Sequence, residues 1–165
     1  MNSRGSNIPS GSAIAVEVGS EGGTLAEPAR RWIEDHARRA IAGLGATGEV
    51  RVRVVGDEAM AAAHSGFAGV EGTTDVLTFD LAEPGHSGLD VDILVCIDEA
   101  RRQAAARGHG VERELLLYIV HGVLHCLGHD DHDPAAAARM HAEEDRILES
   151  LGVGATFAAS RGGEG

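Results

Sequence analysis

Hydrophobic positions along the chain fall into two rhythms. Ala13-Ile-Ala-Val-Glu-Val18 alternates weakly and is rich in β-branched residues, and Glu49-Val-Arg-Val-Arg-Val-Val55 alternates almost perfectly. Both predict strands, the second with one wet face. Thr74-Asp-Val-Leu-Thr-Phe-Asp-Leu81 and Val91-Asp-Ile-Leu-Val-Cys-Ile97 predict two more, and the turn-rich Glu83–Gly88 between them suggests an antiparallel pair. Helical spacing appears in Ala29, Trp32, Ile33, Ala37, Ala40 and Ile41, with Pro28 in the first turn and Gly43 and Gly45 at the end. Asp57 can cap a short helix through Ala63, and Asp98 an alanine-rich one to Arg107. The segment from Val111 to Leu127 is apolar nearly all round, which predicts a helix buried at the centre and stopped by Gly128. Pro134 opens a last helix through Leu151, with Asp133 as its cap.

These elements define an α+β fold: one domain over residues 13–151, a four-stranded mixed sheet, about five helices, and a central buried helix carrying His121 and His125. The polar Gly/Ser-rich residues 1–12 are expected to be a disordered N-terminal segment, and 152–165 a flexible tail. No apolar run reaches the roughly 20 residues that span a bilayer. The N-terminus has no apolar core of a secretory signal, and Cys96 and Cys126 do not make a disulfide framework. A cytoplasmic protein is expected.

All fourteen basic residues are arginines, and the net charge is −12. Such a chain is a poor general binder of nucleic acid, because phosphate affinity rests on cations. Arginines do cluster at Arg30, Arg31, Arg38 and Arg39, and at Arg101, Arg102, Arg107 and Arg113. Solvated helix faces account for such runs, and a local basic groove is the other reading.

The chemistry concentrates in His121-Gly-Val-Leu-His-Cys-Leu-Gly-His-Asp-Asp-His132. Residues four apart share a helix face, so His121 and His125 can reach one ion. His129 on a straight helix would lie about 12 Å along the axis from His121, so a third ligand must return through a turn after Gly128. The candidates are His129, Asp130, Asp131 and His132. Imidazole beside two imidazoles suits zinc and favours His132. Three protein ligands leave a place for a metal-bound water, a catalytic arrangement. Asp130 and His129 are then proton-transfer groups, or turn residues that orient the ligands. The glutamate of the H-E-x-x-H proteases is replaced by Gly122, so peptide hydrolysis by that route is not expected.

The twelve-residue run resembles the H-G-x-L-H-x-x-G-x-D-H signature of the YbeY family of bacterial rRNA-maturation endoribonucleases. Thr74–Phe79 is similar to that family's T-N/D-V-L-S-F strand, and Val91–Ile97 to its G-D-I-x-I-S/C strand. Gly108–Leu115 resembles the G-H-S-x-x-R-E-L entrance to the central helix, and Met140–Leu148 the closing M-x-x-x-E-x-x-I/L helix. The resemblance runs from about Gly56 to Leu151. It implies a single-strand endoribonuclease with one Zn²⁺ per chain, acting in maturation of the small-subunit rRNA 3′ end and in ribosome quality control. It also implies rRNA and the small ribosomal subunit as partners, with no membrane and no DNA.

The alternatives are a ribosome-assembly factor with a mainly structural metal, or a metal-dependent hydrolase of another substrate. Two positions depart from the family. Its third histidine falls at Asp131, with His132 one residue on, so the ligands are His121, His125 and His132, with Asp131 the alternative. Its arginine before the T-N-V-L strand falls at Ala68, so Arg101 or Arg113 would have to hold phosphate, unless Arg113 pairs structurally near its helix start.

Overall fold

The computed structural model describes residues 13–21, 25–66 and 75–157. Strands β1 (Ile14–Ser20), β2 (Gly48–Val55), β3 (Val76–Asp80) and β4 (Leu89–Cys96) form a sheet of order β1-β2-β4-β3. The β1–β2 and β2–β4 pairs are parallel. β3 and β4 are antiparallel, with Leu77 opposite Leu94 and Phe79 opposite Asp92. The turn-rich link between them gives this hairpin-like pairing, and the sheet is mixed as its pattern predicts.

Among the described residues the helices are α1 (Glu27–Gly43), α2 (Asp57–Gly66), α3 (Ile97–Arg107), α4 (Val111–Cys126) and α5 (Pro134–Ser150). α4 touches β3, β4, α1, α3 and α5, which is why its sequence has almost no polar face. Leu115, Leu116, Ile119, Val123 and Leu124 are all fully buried, and each contributes about 1.5–3 kcal/mol of apolar burial. They meet Val50, Val52 and Val54 of β2 and Val91, Ile93 and Val95 of β4 in one core. On the other face of the sheet, α2 covers Leu77 and Cys96 with Met60, while the wet strand positions hold Arg51 against Asp90 and Asp92.

Several boundaries differ from the pattern. α2 runs on to Gly66, past Ala63. Asp98 does not cap its own helix, whose first flanking residue is Cys96 with no side-chain cap bond. Its Oδ2 instead accepts from the Asp57 backbone N–H at 2.8 Å, so it serves the start of α2. Asp133 does cap α5, accepting from the Ala136 N–H at 2.8 Å. Residues 152–157, expected to begin a loose tail, are tied down. Asp145 Oδ1 accepts from the backbone N–H groups of Thr156 and Phe157 at 2.8 and 3.0 Å. Arg113 Nη2 donates to the carbonyls of Gly154 and Ala155. Residues 1–12, 22–24, 67–74 (Ala68 among them) and 158–165 lie outside the described residues.

Candidate metal centre

His121 and His125 stand one turn apart on α4, their ring centroids 4.7 Å apart. The helix ends at Cys126, and Gly128 adopts φ 104°, a left-handed value open to glycine. The His129 N–H closes the turn on the Leu124 carbonyl at 3.0 Å. The chain then doubles back and brings Asp131 over the two histidines. Asp131 Oδ2 lies 3.7 Å from His121 Nε2, and its Oδ1 3.8 Å from His125 Nε2. One ligand atom from each of the three lies within 4.8 Å of the others. Nitrogen and oxygen ligands about 2.0–2.2 Å from a common ion have separations of this order. The donor set therefore fits a divalent cation.

His132, the favoured third ligand by sequence, is not brought to this point. Its side chain is 75% exposed, and its Nδ1 sits 3.8 Å from Asp130 Oδ1. Asp130 Oδ1 also accepts from the His132 backbone N–H at 3.3 Å, in a local turn. The structure thus gathers His121, His125 and the alternative residue Asp131. His129 and Asp130 flank that group in the chain without joining it.

Behind the histidines stands a residue that sequence reasoning missed. Glu144 of α5 is 1% exposed, and its Oε2 lies 2.6 Å from His121 Nδ1. A carboxylate at this place accepts from Nδ1–H, which in the neutral imidazole leaves the Nε2 lone pair on the side facing Asp131. Burial opposes the charged imidazole, but the hydrogen bond and negative charge of Glu144 outweigh it and raise the pKa of His121. The signal was present: Glu144 shares the buried face of α5 with Met140, Ile147 and Leu148, and a carboxylate on an apolar face calls for a partner.

Of the expected phosphate-binding arginines, Arg113 is turned inward onto the carbonyls of the C-terminal segment. Arg101 is half exposed and pairs with Asp98 at 3.1 Å. Asp57, Cys96 and Asp98 form a second group of ligand-type side chains. Their atoms are already engaged: Arg102 donates to both oxygens of Asp57, at 3.0 and 2.8 Å, and the Cys96 thiol donates to Asp57 Oδ1 at 3.2 Å. The Arg102 hydrogen bonds, then that of Cys96, hold the Asp57 carboxyl down to about 2.

A mixed sheet wrapped on one buried helix, with two histidines and a carboxylate gathered at that helix's end, defines a small α+β domain built around a candidate metal centre. The family described as Endoribonuclease YbeY matches residues 20–152, and the chain belongs to that family. Endoribonuclease YbeY of Moorella thermoacetica is 37% identical over 127 residues, covering 71% of this chain and 81% of that protein. Endoribonuclease YbeY of Anaeromyxobacter sp. strain Fw109-5 is 37% identical over 142 residues, covering 85% and 73%. Among solved structures, the solution structure of TM1509 from Thermotoga maritima is similar, with a TM-score of 0.52 and 26% identity. It covers 84% of this chain and 88% of that one.

Proposed function

We propose that this protein is a zinc-dependent, single-strand-specific endoribonuclease that acts in maturation of the small-subunit rRNA 3′ end and in ribosome quality control. The observation that carries the reading is the convergence of His121, His125 and Asp131 in a chain whose relatives are named as endoribonucleases. These three side chains would hold one ion per chain. A divalent ion in such a site lowers the pKa of water and offsets negative charge at a phosphoryl oxygen.

The protein's own residues supply the rest. Glu144 fixes the tautomer and direction of His121. The three side chains are 24, 33 and 39% exposed, so the site faces solvent and an RNA strand can approach it. Gly122 removes the general base of a metalloprotease, which favours a phosphodiester over a peptide. The reading places the protein in the cytoplasm with the small ribosomal subunit as partner, and no helix among the described residues is long and apolar enough to cross a membrane.

Metal-loaded protein is expected to cut a small-subunit rRNA precursor that carries its 3′ extension, and a folded His121→Ala variant to leave it whole. An uncut precursor at full metal occupancy overturns the reading. Cosedimentation with small subunits that survives His121→Ala, without cleavage by either form, would point instead to an assembly factor.

A further inference from the structure

Beside the metal centre, along the same face of α4, lies a cavity of about 340 Å³. Its floor is a stripe of residues about one turn apart: Glu114, Tyr118 and His121. One end is therefore a histidine of the metal centre. At the other end Glu114, 0% exposed, is bonded to Arg107 and His109 at 2.6 Å each. The far wall is Phe157, whose ring stacks on His141 with centroids 3.8 Å apart and planes 8° from parallel. The C-terminal segment that Asp145 and Arg113 tie down is what delivers Phe157 to this position.

Most polar groups of the wall are engaged. Glu144 is bonded to His121, Glu114 to Arg107 and His109, and Gln103 Nε2 donates to Glu99 at 2.9 Å. Tyr118 differs. It is 4% exposed, it lines the cavity, and its buried hydroxyl makes no hydrogen bond of normal length, the nearby Glu114 carboxylate being already bonded to Arg107 and His109. Buried hydroxyls are seldom left so, and a ligand in the cavity would complete this one. Burial, then the charges of Glu114 and Asp75 and a weak attraction to the Glu114 carboxylate, keep the phenol protonated, so a ligand in the cavity competes with Glu114 for its hydrogen.

The lining also selects the ligand's chemistry. Among the described lining residues the carboxylates Glu114, Glu144 and Asp75 outnumber the one arginine, Arg107, which disfavours a phosphate inside the cavity. A neutral flat ring suits a lining of Leu117, Val76, His141 and Phe157, the last already stacked by His141 and approached by the Arg107 guanidinium at 5.4 Å, with a phenolic donor beside them. Splayed-out bases of single-stranded RNA are read in this way, by ring contacts and edge hydrogen bonds. Tyr118 precedes His121 by three residues, about 4.5 Å of helix rise. A base seated on Tyr118 therefore leaves its own phosphate beside the metal centre.

We infer that this cavity is a nucleobase subsite, in which the Tyr118 hydroxyl donates to a ring nitrogen or carbonyl of the base next to the cleaved phosphate. The inference rests on the endoribonuclease reading for that neighbouring phosphate. Its test uses the full-length, metal-loaded protein and the four free ribonucleosides, with ribose as the control that lacks a base. Binding is read by saturation-transfer NMR. At least one nucleoside should bind while ribose does not, and Tyr118→Phe should weaken that binding about three- to tenfold.

The substitution deletes a hydroxyl with no hydrogen bond of normal length, so a purely structural role predicts little change in melting and unchanged binding. Nucleosides that bind no better than ribose, or equally well to Tyr118→Phe, overturn the inference. Cleavage of RNA by that same preparation keeps the two readings apart. Tyr118-dependent nucleoside binding without cleavage sustains the subsite and removes the nuclease. Cleavage without any Tyr118-dependent binding does the reverse.

Discussion

Gly122 shows how one position serves packing and chemistry together. A Cβ there would stand 2.8 Å from Thr78 Oγ1 and 3.3 Å from Ile93 Cδ1, so the residue after His121 faces the sheet. Its lack of a side chain lets α4 lie close on β3 and β4. A glutamate there would be pressed into β-branched neighbours and carry a buried charge. Gly122→Glu is expected to destabilise the fold by about 3 kcal/mol or more, read from denaturant midpoints, and to confer no peptidase activity. Stability equal to wild type would mean that the helix stands off the sheet. His121 and His125 were legible from their spacing alone. Asp131 was not, because imidazole chemistry argued for His132 while the direction of the chain after Gly128 decides which side chain returns. Counting ligand types cannot give the path of a turn.

At the scale of elements, the strongly patterned segments carried their own structure. α4 could be recognised as central because its apolar positions leave no wet face, and β2 because its alternation matches the pleat. The start of the C-terminal segment, residues 152–157, could not be read from its own letters for a physical reason. Its glycines and alanines look loose, and the groups that hold it are supplied from elsewhere, by Asp145 of α5 and Arg113 of α4. Asp145→Ala would leave two backbone N–H groups, one of them on the buried Thr156, without this acceptor. The expected cost is about 1–3 kcal/mol in chemical denaturation, together with faster amide exchange at Thr156 and Phe157. Unchanged exchange there would show that the segment is held by other contacts.

For the molecule as a whole, the acidic balance bears on how RNA is met. The arginine clusters behave as solvated helix faces rather than as a basic groove, matched by acids: Arg30 by Glu27 and Glu34, Arg39 by Asp35, Arg101 by Asp98, Arg102 by Asp57 and Glu99. Such exposed pairs add little stability, but they occupy the cations that phosphates would need. Binding of single-stranded RNA, followed by fluorescence anisotropy in a chelator to prevent cleavage, should depend weakly on salt. The expected slope of log K against log salt is shallower than about −2, the mark of no more than about three phosphate contacts. A slope of about −4 or steeper would reveal a basic surface that these pairs do not describe. An RNA that is weakly held by charge needs other means of placement, which a ribosomal partner and a base pocket beside the metal centre would provide.

The proposed function depends on an ion that His121, His125 and Asp131 would hold. Elemental analysis of purified wild-type, Asp131→Ala and His132→Ala proteins, each checked for folding by circular dichroism, addresses this most directly. Stoichiometric metal in wild type and His132→Ala, with Asp131→Ala depleted, is the predicted result. Metal lost from His132→Ala and retained by Asp131→Ala would contradict it.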